Sequence, residues 1–319
     1  MTQTNNKQIL SEAAHCPVLL SEVLDNLAIK DGGNYLDCTF GAGGYTKAIL
    51  ERADCFVTAL DQDPTVSVFA DEVEKKIGQR FSFVQTNFAF AKERLQGKKF
   101  DGIVLDLGIS SMQVDNAERG FSFMKDGPLD MRMGASKLSA EEFVANSDEE
   151  EIANIIYKYG EEVQSRQIAK AIVEARALSP ITTTLQLADI IRNAMHFRKG
   201  KIDPATKTFQ AIRIYINREL DVLEKFLNKM EDLLVPGGRI LVVSFHSLED
   251  SIVKAYFKSH SPKKVSRSKY SKEDEILEEG EWLRALTKKP LTPSRGEIMQ
   301  NPRSRSSRLR VAEKIRGGK

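Results

Sequence analysis

The sequence predicts an α/β fold in which an all-helical segment interrupts a mostly parallel β-sheet. In the first third of the chain, short apolar segments alternate with segments of helical periodicity, which is typical of βαβ units. From about residue 114 to about residue 204, only the helical spacing of apolar residues is recognisable. A further apolar strand follows this region, so we expect the sheet to resume after it.

Four strands are predicted before the helical region, at residues 34–39, 55–60, 81–84 and 102–106. A glycine-rich loop, 41–44, follows the first strand, and residues 45–52 have the pattern of a helix. Asp61 directly follows the second strand, and Asp106 ends the fourth. Ligands of open α/β sheets bind beyond the carboxyl ends of the strands, so we expect these two acids at a ligand site.

The helical region is predicted to be an inserted substrate-recognition domain. It would span residues 114–205 and separate a first part of the sheet domain, residues 1–113, from a second part, residues 206–319, that ends in a basic tail. Within the insertion, Ser139 and Glu142 resemble a capping box at the start of a helix. Gly160 is a natural helix end.

One long helix is predicted directly after the insertion. Its apolar residues form a stripe from Phe209 to Met230. The turn at residues 236–238 then leads into a buried strand over residues 239–244. After this strand, Ser247 and Asp250 are predicted to cap a helix.

Composition excludes several classes of protein. The chain has 319 residues, of which 41% are hydrophobic and 29% charged, as expected of a globular protein with a full core. No run of 18 apolar residues occurs, so no membrane partner is expected. The three cysteines lack C-x-x-C spacing, so no metal site is predicted, and together with the absence of a signal-peptide pattern they favour a reducing cytoplasm.

The charge is uneven although its net value is only +2. Residues 301–319 contain seven Lys or Arg and one acid, and residues 263–269 are also basic. A basic face suits a polyanion such as RNA. A solvated or disordered tail explains the same composition equally well.

The glycine loop and the acids favour a nucleoside-containing cofactor. Glycines let a ligand approach the backbone, Asp61 is placed to take both ribose hydroxyls, and Asp37 can lie beside a cationic amino-acid moiety. A dinucleotide dehydrogenase would need a third glycine where Thr46 stands, and no hydride-handling His or Tyr is recognisable. The pattern therefore favours S-adenosylmethionine, and glycines that serve only a tight turn are the structural alternative.

Asp106 and Ser110 are the predicted catalytic residues, because they follow the fourth strand beside the expected methyl donor. Methyl transfer to an exocyclic amine needs placement of the amine and an acceptor for its N–H group, and Asp106 is the nearest acceptor. The alternative is a loop in which Ser and Asp cap the next turn. Methylation at C5 of cytosine would require a cysteine nucleophile, whereas Cys38 and Cys55 lie in predicted strands.

Several motifs extend the analysis over nearly the whole chain: residues 15–23, 37–45, 106–113, 118–123, 126–133, 204–213, 244–250 and 301–306. The central ones, between residues 106 and 133, are long and highly specific. Together the motifs resemble those of the RsmH/MraW family of ribosomal RNA methyltransferases. The resemblance implies a class I, Rossmann-like, S-adenosylmethionine-dependent methyltransferase fold with an all-helical inserted domain.

The resemblance also implies a substrate and a set of contacts. The substrate would be N4 of cytidine C1402 in the decoding centre of 16S rRNA, within the 30S subunit. The residues carried over by motif as cofactor contacts are Gly43, Gly44, Tyr45, Asp61, Phe88, Asp106 and Gln113. Tyr45 and Asp203 depart from the His that many family members have, which puts any imidazole role there in doubt.

Three further residues are substrate-binding candidates. Arg132 and Arg213 would meet RNA phosphate or the target base, or else form structural ion pairs, because a buried arginine needs a partner. His246 would line the target pocket or be a structural histidine. A non-catalytic RNA-binding assembly factor and a methyltransferase for DNA or protein are the competing functions, and the sequence leaves a homodimer open.

Overall fold

The computed structural model describes residues 17–134, 136–195, 203–262 and 280–315. Residues His15 and Cys16 of the first motif and the basic segment 263–269 lie outside them. The α-helices are α1 Leu20–Asn26, α2 Gly44–Arg52, α3 Ser67–Ile77, α4 Ala91–Leu95, α5 Ser111–Asp115, α6 Ala140–Asn146, α7 Glu149–Gly160, α8 Ser165–Leu178, α9 Thr184–Ala194, α10 Ala205–Asn217, α11 Glu219–Leu227, α12 Ser247–Ser259 and α13 Arg295–Gln300. The strands are β1 Asn34–Asp37, β2 Phe56–Asp61, β3 Phe81–Gln85, β4 Phe100–Asp106, β5 Leu234–Ser244, β6 Leu283–Ala285 and β7 Arg308–Lys314.

The strands form one seven-stranded sheet in the order β3-β2-β1-β4-β5-β7-β6. The first five are parallel, and β7 runs antiparallel to both β5 and β6. The strand order reverses between β1 and β4, which is the switch point at which α/β sheets bind ligands. The predicted α/β architecture and the four predicted early strands are confirmed.

Alternate residues of each central strand face two different cores. On β4, Ile103 and Leu105 pack into one cluster, and Val104 packs into the cluster on the opposite face. This alternation follows from the two-residue period of a strand. Helices cover both faces, so most residues inside the central strands are apolar, as in the segment from Ile103 to Leu105 of β4.

A third core lies in the helical region. It is a cluster of buried residues from Phe121 to Ile216, built mainly by α6 to α10. The capping box of Ser139 and Glu142 at the start of α6 is confirmed. Because the cluster includes residues of α10, it extends past the proposed boundary at residue 205, and that boundary stays a prediction.

The prediction of a single long helix after the insertion is wrong. The chain forms α10 and α11, and Arg218 between them has a left-handed backbone with φ 52°. The apolar stripe belongs to two cores, since Phe209 and Ile212 pack in the helical cluster and Leu223 and Leu227 pack against the sheet. Because the helix breaks at Arg218, the first half of the stripe packs into the helical cluster and the second half packs against the sheet.

Two expectations for the last third of the chain need correction. β5 begins at Leu234, before the predicted Pro-Gly-Gly turn, which instead forms an irregularity in the pairing with β4. The basic segment that begins at residue 301 is not a loose tail over the residues described. Arg308–Lys314 is strand β7, and Arg310 and Lys314 are buried.

Membrane spans were looked for in the described ranges alone, and none of their helices combines the length and the apolar character that crossing a bilayer requires.

Candidate active site

A cavity of about 910 Å³ opens at the carboxyl ends of β1, β2 and β4. Its lining includes the residue after β1, Cys38, the last residues of β2 and β4, Asp61 and Asp106, and Phe245 after β5. The cavity therefore lies at the switch point of the sheet, where the strand-end acids were predicted to meet. A smaller cavity of about 410 Å³ includes Asn34 and Phe56, at the amino ends of β1 and β2.

The glycine loop forms one wall of the cavity. Gly44 and Tyr45 line it, whereas Gly43 does not. Gly43 has φ 78°, and a Cβ there would lie 2.8 Å from the Phe40 ring, so the position has no room for a side chain. The Tyr45 ring is buried, and its hydroxyl donates a hydrogen bond to the Val18 carbonyl. Tyr45 thus ties the loop to the segment before α1, a task for which an imidazole is not needed.

One buried acid, Asp37, and one partly buried acid, Asp61, lie next to the glycine loop. Asp37 accepts hydrogen bonds from the Thr46 hydroxyl at 2.7 Å and from the Thr39 N–H at 3.2 Å. Burial, opposed by these bonds and reinforced by the charge of Asp61, raises the pKa of Asp37 to about 6. Asp61 accepts from the Gly41 N–H at 2.8 Å, and burial raises its pKa too.

Asp106 is the most isolated acid of the cavity. Its Oδ1 is buried and has no hydrogen-bond partner among the described residues, although its backbone N–H donates to the Thr39 hydroxyl at 2.7 Å. Burial, together with the charges of Asp37 and Glu249, raises the pKa of Asp106 well above its ordinary value. A cationic ligand would relieve this crowding of carboxyls, and a ligand with an N–H group would satisfy the free oxygen.

Ser110 and Gln113 hold each other at the start of α5. The Ser110 hydroxyl accepts from the Gln113 backbone N–H, and the Gln113 side-chain oxygen accepts from the Ser110 N–H, which is a capping box. Both residues line the cavity. In this structure the Ser110 hydroxyl is engaged in the cap, so its catalytic role stays a prediction while its structural role is visible.

Phe88, whose contact with adenine stays a prediction, lines the cavity, as does Asp61. Its ring meets that of Phe226 edge to face, with 5.6 Å between centroids. This contact joins the turn after β3 to α11, and Val222 and Leu223 of α11 extend the apolar wall. The arrangement offers an apolar surface on which a purine ring can lie.

The three substrate-binding candidates do not line the cavity. Arg132 is half-exposed and pairs with Asp130, whose carboxylate accepts from its Nε at 2.9 Å. Arg213 is mostly buried, with 12% of its side chain exposed, and donates two hydrogen bonds to Glu219, at 2.8 and 3.0 Å. His246 caps α12 together with Glu249, which replaces the cap predicted from Ser247 and Asp250.

The ligand atoms of Glu219, His246 and Glu249 lie within 4.8 Å of one another. Such a group could hold a cation, but Arg213 already supplies a positive charge to both oxygens of Glu219. The Glu249 carboxylate accepts from the Phe245 N–H at 2.9 Å, and its Oε1 lies 3.2 Å from the His246 ring nitrogen Nε2. Both glutamates are thus engaged by neighbouring groups, whereas His246 Nε2 is buried and has no hydrogen-bond partner among the residues described.

Sequence analysis missed Asp63, Asn217 and Glu249 as cavity residues. Asp63 could have been noticed, because it lies two residues after Asp61 and, standing before Pro64, is itself an N-cap residue. Asn217 lies at the break between α10 and α11 and carries no local signal. Cys38 also lines the cavity, but burial raises the pKa of its thiol well above the ordinary value, so it is a poor nucleophile.

Comparison with known proteins shows the family to which the chain belongs. A model of the MraW methylase family matches residues 12–315. The chain belongs to this family. A ribosomal RNA small subunit methyltransferase H from Rickettsia felis is 59% identical over 302 residues, which cover 95% of this chain and 99% of that protein. A protein of the same name from Rickettsia akari is 60% identical over 301 residues, covering 94% and 98%.

Membership of the MraW methylase family confirms the class I methyltransferase fold and S-adenosylmethionine as the cofactor. An rRNA methylase from Streptococcus thermophilus aligns over 95% of this chain and 100% of its own length, with 11% identity and a TM-score of 0.42. The cavity fits the cofactor on physical grounds, because a cationic sulfonium nucleoside would offset the negative charge of acids that line it, among them Asp61, Asp106 and Glu249.

Proposed function

We propose that this MraW-family methylase transfers a methyl group to N4 of cytidine C1402 in 16S rRNA, giving N4-methylcytidine. The relatives' names support small-subunit ribosomal RNA as the substrate. The observation that carries the choice of an amine is the free, buried Oδ1 of Asp106 in the cofactor cavity.

In this proposal each end of the cofactor has its own residues. Asp61 takes the ribose, Phe88 lies beside the adenine, and Gly44, Tyr45 and Gln113 border the remainder. S-adenosylmethionine supplies an electrophilic methyl group on a sulfonium. Asp106 accepts an N–H bond of the target amine, which localises the nitrogen lone pair and holds the amine in place for attack.

The substrate is proposed to be the 30S subunit, which places the reaction in the cytoplasm. A nearly neutral chain has little long-range attraction for naked RNA, so shaped contacts with a folded ribonucleoprotein would have to supply affinity. The target base must leave its stack to reach the cavity, at a cost of a few kcal/mol. The helical insertion, bordering the cavity through Met133, is the proposed substrate-recognition surface.

The test is transfer of labelled methyl groups to 30S subunits, free 16S rRNA, DNA and bulk protein, followed by mass analysis of nucleosides. We expect N4-methylcytidine at C1402 of the 30S subunit. Label recovered as 5-methylcytidine, or in DNA or protein, would contradict the proposal. A chain that binds 30S subunits but shows no heat of binding with S-adenosylmethionine would instead be an assembly factor.

Asp106→Asn is the matched variant for this test. The amide keeps the shape but presents no carboxylate, and we expect transfer to slow by about 10²-fold or more. Binding of S-adenosylhomocysteine, measured by calorimetry, should change much less. Equal losses in binding and transfer would mean that Asp106 serves the cofactor alone.

A further inference from the structure

Asp63 connects the cofactor cavity to the helical region. Its backbone N–H donates to Asp61 Oδ1 at 2.9 Å, so it is fixed to the proposed ribose acid. Its own Oδ1 accepts from the Thr65 N–H at 3.0 Å and from the Thr65 hydroxyl at 2.7 Å. These bonds leave Oδ2, the second oxygen of a side chain that is only 3% exposed, to face other elements.

The Oδ2 atom of Asp63 accepts two hydrogen bonds from outside β2. Gln113 on α5 donates its side-chain N–H at 2.9 Å, and the Arg119 guanidinium donates at 2.7 Å. Burial alone would raise the pKa of Asp63, but the bonds from Thr65, Gln113 and Arg119 outweigh it and hold that pKa below the ordinary value. The charged carboxylate therefore contacts both Gln113, which lines the cofactor cavity, and Arg119, at the start of the insertion.

Arg119 carries the connection onward to residues 131–134, which we call the bridging segment. Its Nη2 donates to the Arg132 carbonyl at 3.0 Å, and its own carbonyl accepts from the Met131 N–H at 3.1 Å. The segment also touches the cavity directly, since Met133 lines it. At Gly134 a Cβ would lie 2.8 Å from the carbonyl oxygen of Gln62, the residue between Asp61 and Asp63.

The bridging segment contains a residue with an unfavourable backbone conformation, which hydrogen bonds from other elements hold in place. Met131 is fully buried and has φ 60°, a left-handed value that a side chain with a Cβ disfavours. Asn217 on α10 donates to the Met131 carbonyl at 2.8 Å and accepts from the Met133 N–H at 2.7 Å. Such conformations persist only where surrounding contacts over-determine them, so loss of the Arg119 bonds should loosen the segment.

We propose that Asp63 is a positioning residue that couples the S-adenosylmethionine site to the bridging segment, so that cofactor and RNA each bind more tightly when the other is present. The inference rests on the proposed function, in which the insertion meets ribosomal RNA. One buried carboxylate fixes both the loop after Asp61 and the backbone around Arg132, so ordering of one side lowers the cost of ordering the other. Coupling between two bound ligands is necessarily reciprocal.

Arg119→Met is the decisive variant, because Arg119 does not line the cavity and its loss leaves the Asp63–Gln113 bond in place. The measurement is the Kd of S-adenosylhomocysteine with and without 30S subunits. For the unaltered protein we expect at least about fivefold tighter binding in the presence of 30S subunits. For Arg119→Met we expect that ratio to fall close to one, with an unchanged Kd when 30S subunits are absent. Asp63→Asn should lower the ratio in the same way.

Arg239→Met is the control, since it removes an ion pair with Glu313 and Arg239 does not line the cavity. The Arg239 side chain is 27% exposed, close to the 22% of Arg119. This variant should keep the full ratio. A ratio near one in the unaltered protein, or an undiminished ratio in Arg119→Met, would overturn the coupling. Failure of the proposed function is a separate result, because it would appear as an absence of methyl transfer to 30S subunits by the unaltered protein.

Discussion

The strand-end acids of the cavity are costly residues when no ligand is present. Asp37 is completely buried, and within the part of the chain that the structure describes Asp106 has a buried oxygen without a hydrogen-bond partner. Both have raised pKa values, chiefly because burial disfavours the charged carboxylate. A buried carboxylate that binds a cationic ligand should lower the free energy of unfolding when that ligand is absent. The size of this loss should depend on pH, because only the charged carboxylate causes it.

Asp37→Asn should therefore be more stable than the unaltered chain at high pH. The pKa of Asp37 is raised from 3.8 to about 6, so the folded state binds its proton more tightly than the unfolded chain does. The cost of the buried charge is thus fully present above pH 6, shrinks as the pH falls, and is absent below pH 4. Urea denaturation should show a gain of up to about 3 kcal/mol for the variant at pH 8. A difference in unfolding free energy between the two proteins that grows as the pH falls would contradict this prediction.

The sequence correctly places at the cavity those residues whose position depends only on where one strand ends. Asp61 and Asp106 follow apolar runs, so their place at the edge of a parallel sheet is readable. Glu249 and Asn217 reach the same cavity from elements whose packing against it no local pattern encodes. Arg213 illustrates the same limit, because its buried partner Glu219 lies beyond a helix break that the apolar stripe conceals.

At the scale of elements, α12 begins with an unusual cap. His246 accepts the Glu249 N–H with its ring nitrogen Nδ1 at 3.4 Å, and Glu249 accepts in return from the His246 N–H. Asn is a preferred N-cap residue whose side-chain oxygen can replace that ring nitrogen, whereas Ala cannot.

His246→Asn should consequently unfold at nearly the same temperature as the unaltered chain, whereas His246→Ala should lose about 1 kcal/mol of stability. Thermal and urea unfolding of both variants would measure this. Methyl transfer by His246→Asn then tests the pocket role separately, because the cap is retained. Equal destabilisation by Asn and Ala would show that the ring acts through packing and not through the cap.

The helical core depends on a close approach of α7 to α10. Gly160 ends α7, and a Cβ there would lie 2.7 Å from the Lys207 carbonyl oxygen, a backbone atom that cannot swing aside. The sequence suggested Gly160 as a helix stop, and α7 does end there, but the left-handed residue that follows is Glu161, with φ 50°. The glycine is needed for packing, which helix-end rules do not reveal.

Gly160→Ala should destabilise the protein by about 1–3 kcal/mol, the usual cost of overfilling a packed contact. Gly296→Ala is the matched helical control, because the nearest atom to its Cβ is the Ser294 hydroxyl at an ordinary 3.7 Å. That variant should be neutral or slightly stabilising, since Ala favours a helix over Gly. Urea denaturation compares the two, and similar losses in both would place the cost in the helix and not in the contact.

At the scale of the whole molecule, the C-terminal strand completes the sheet. β7 lies between β5 and β6, and its Arg310 reaches across to Asp250 on α12 with hydrogen bonds of 2.6 and 3.0 Å. Asp250 also pairs with Arg308 at 3.2 Å. The same carboxylate thus has one buried and one half-exposed partner, since the Arg310 and Arg308 side chains are 7% and 44% exposed.

These two arginines should differ sharply in their contribution to stability. Arg310→Met leaves the buried carboxylate of Asp250 with Arg308 as its remaining arginine partner, 44% exposed, and should cost up to about 3–5 kcal/mol. Arg308→Met removes an exposed partner of that carboxylate and should cost at most about 1 kcal/mol. Adding Asp250→Asn to Arg310→Met removes the stranded charge, so the double variant should recover much of the loss in urea denaturation. Equal effects of the two single variants would mean that the strand is held by its ladder with β5, and that the ion pair to α12 contributes little.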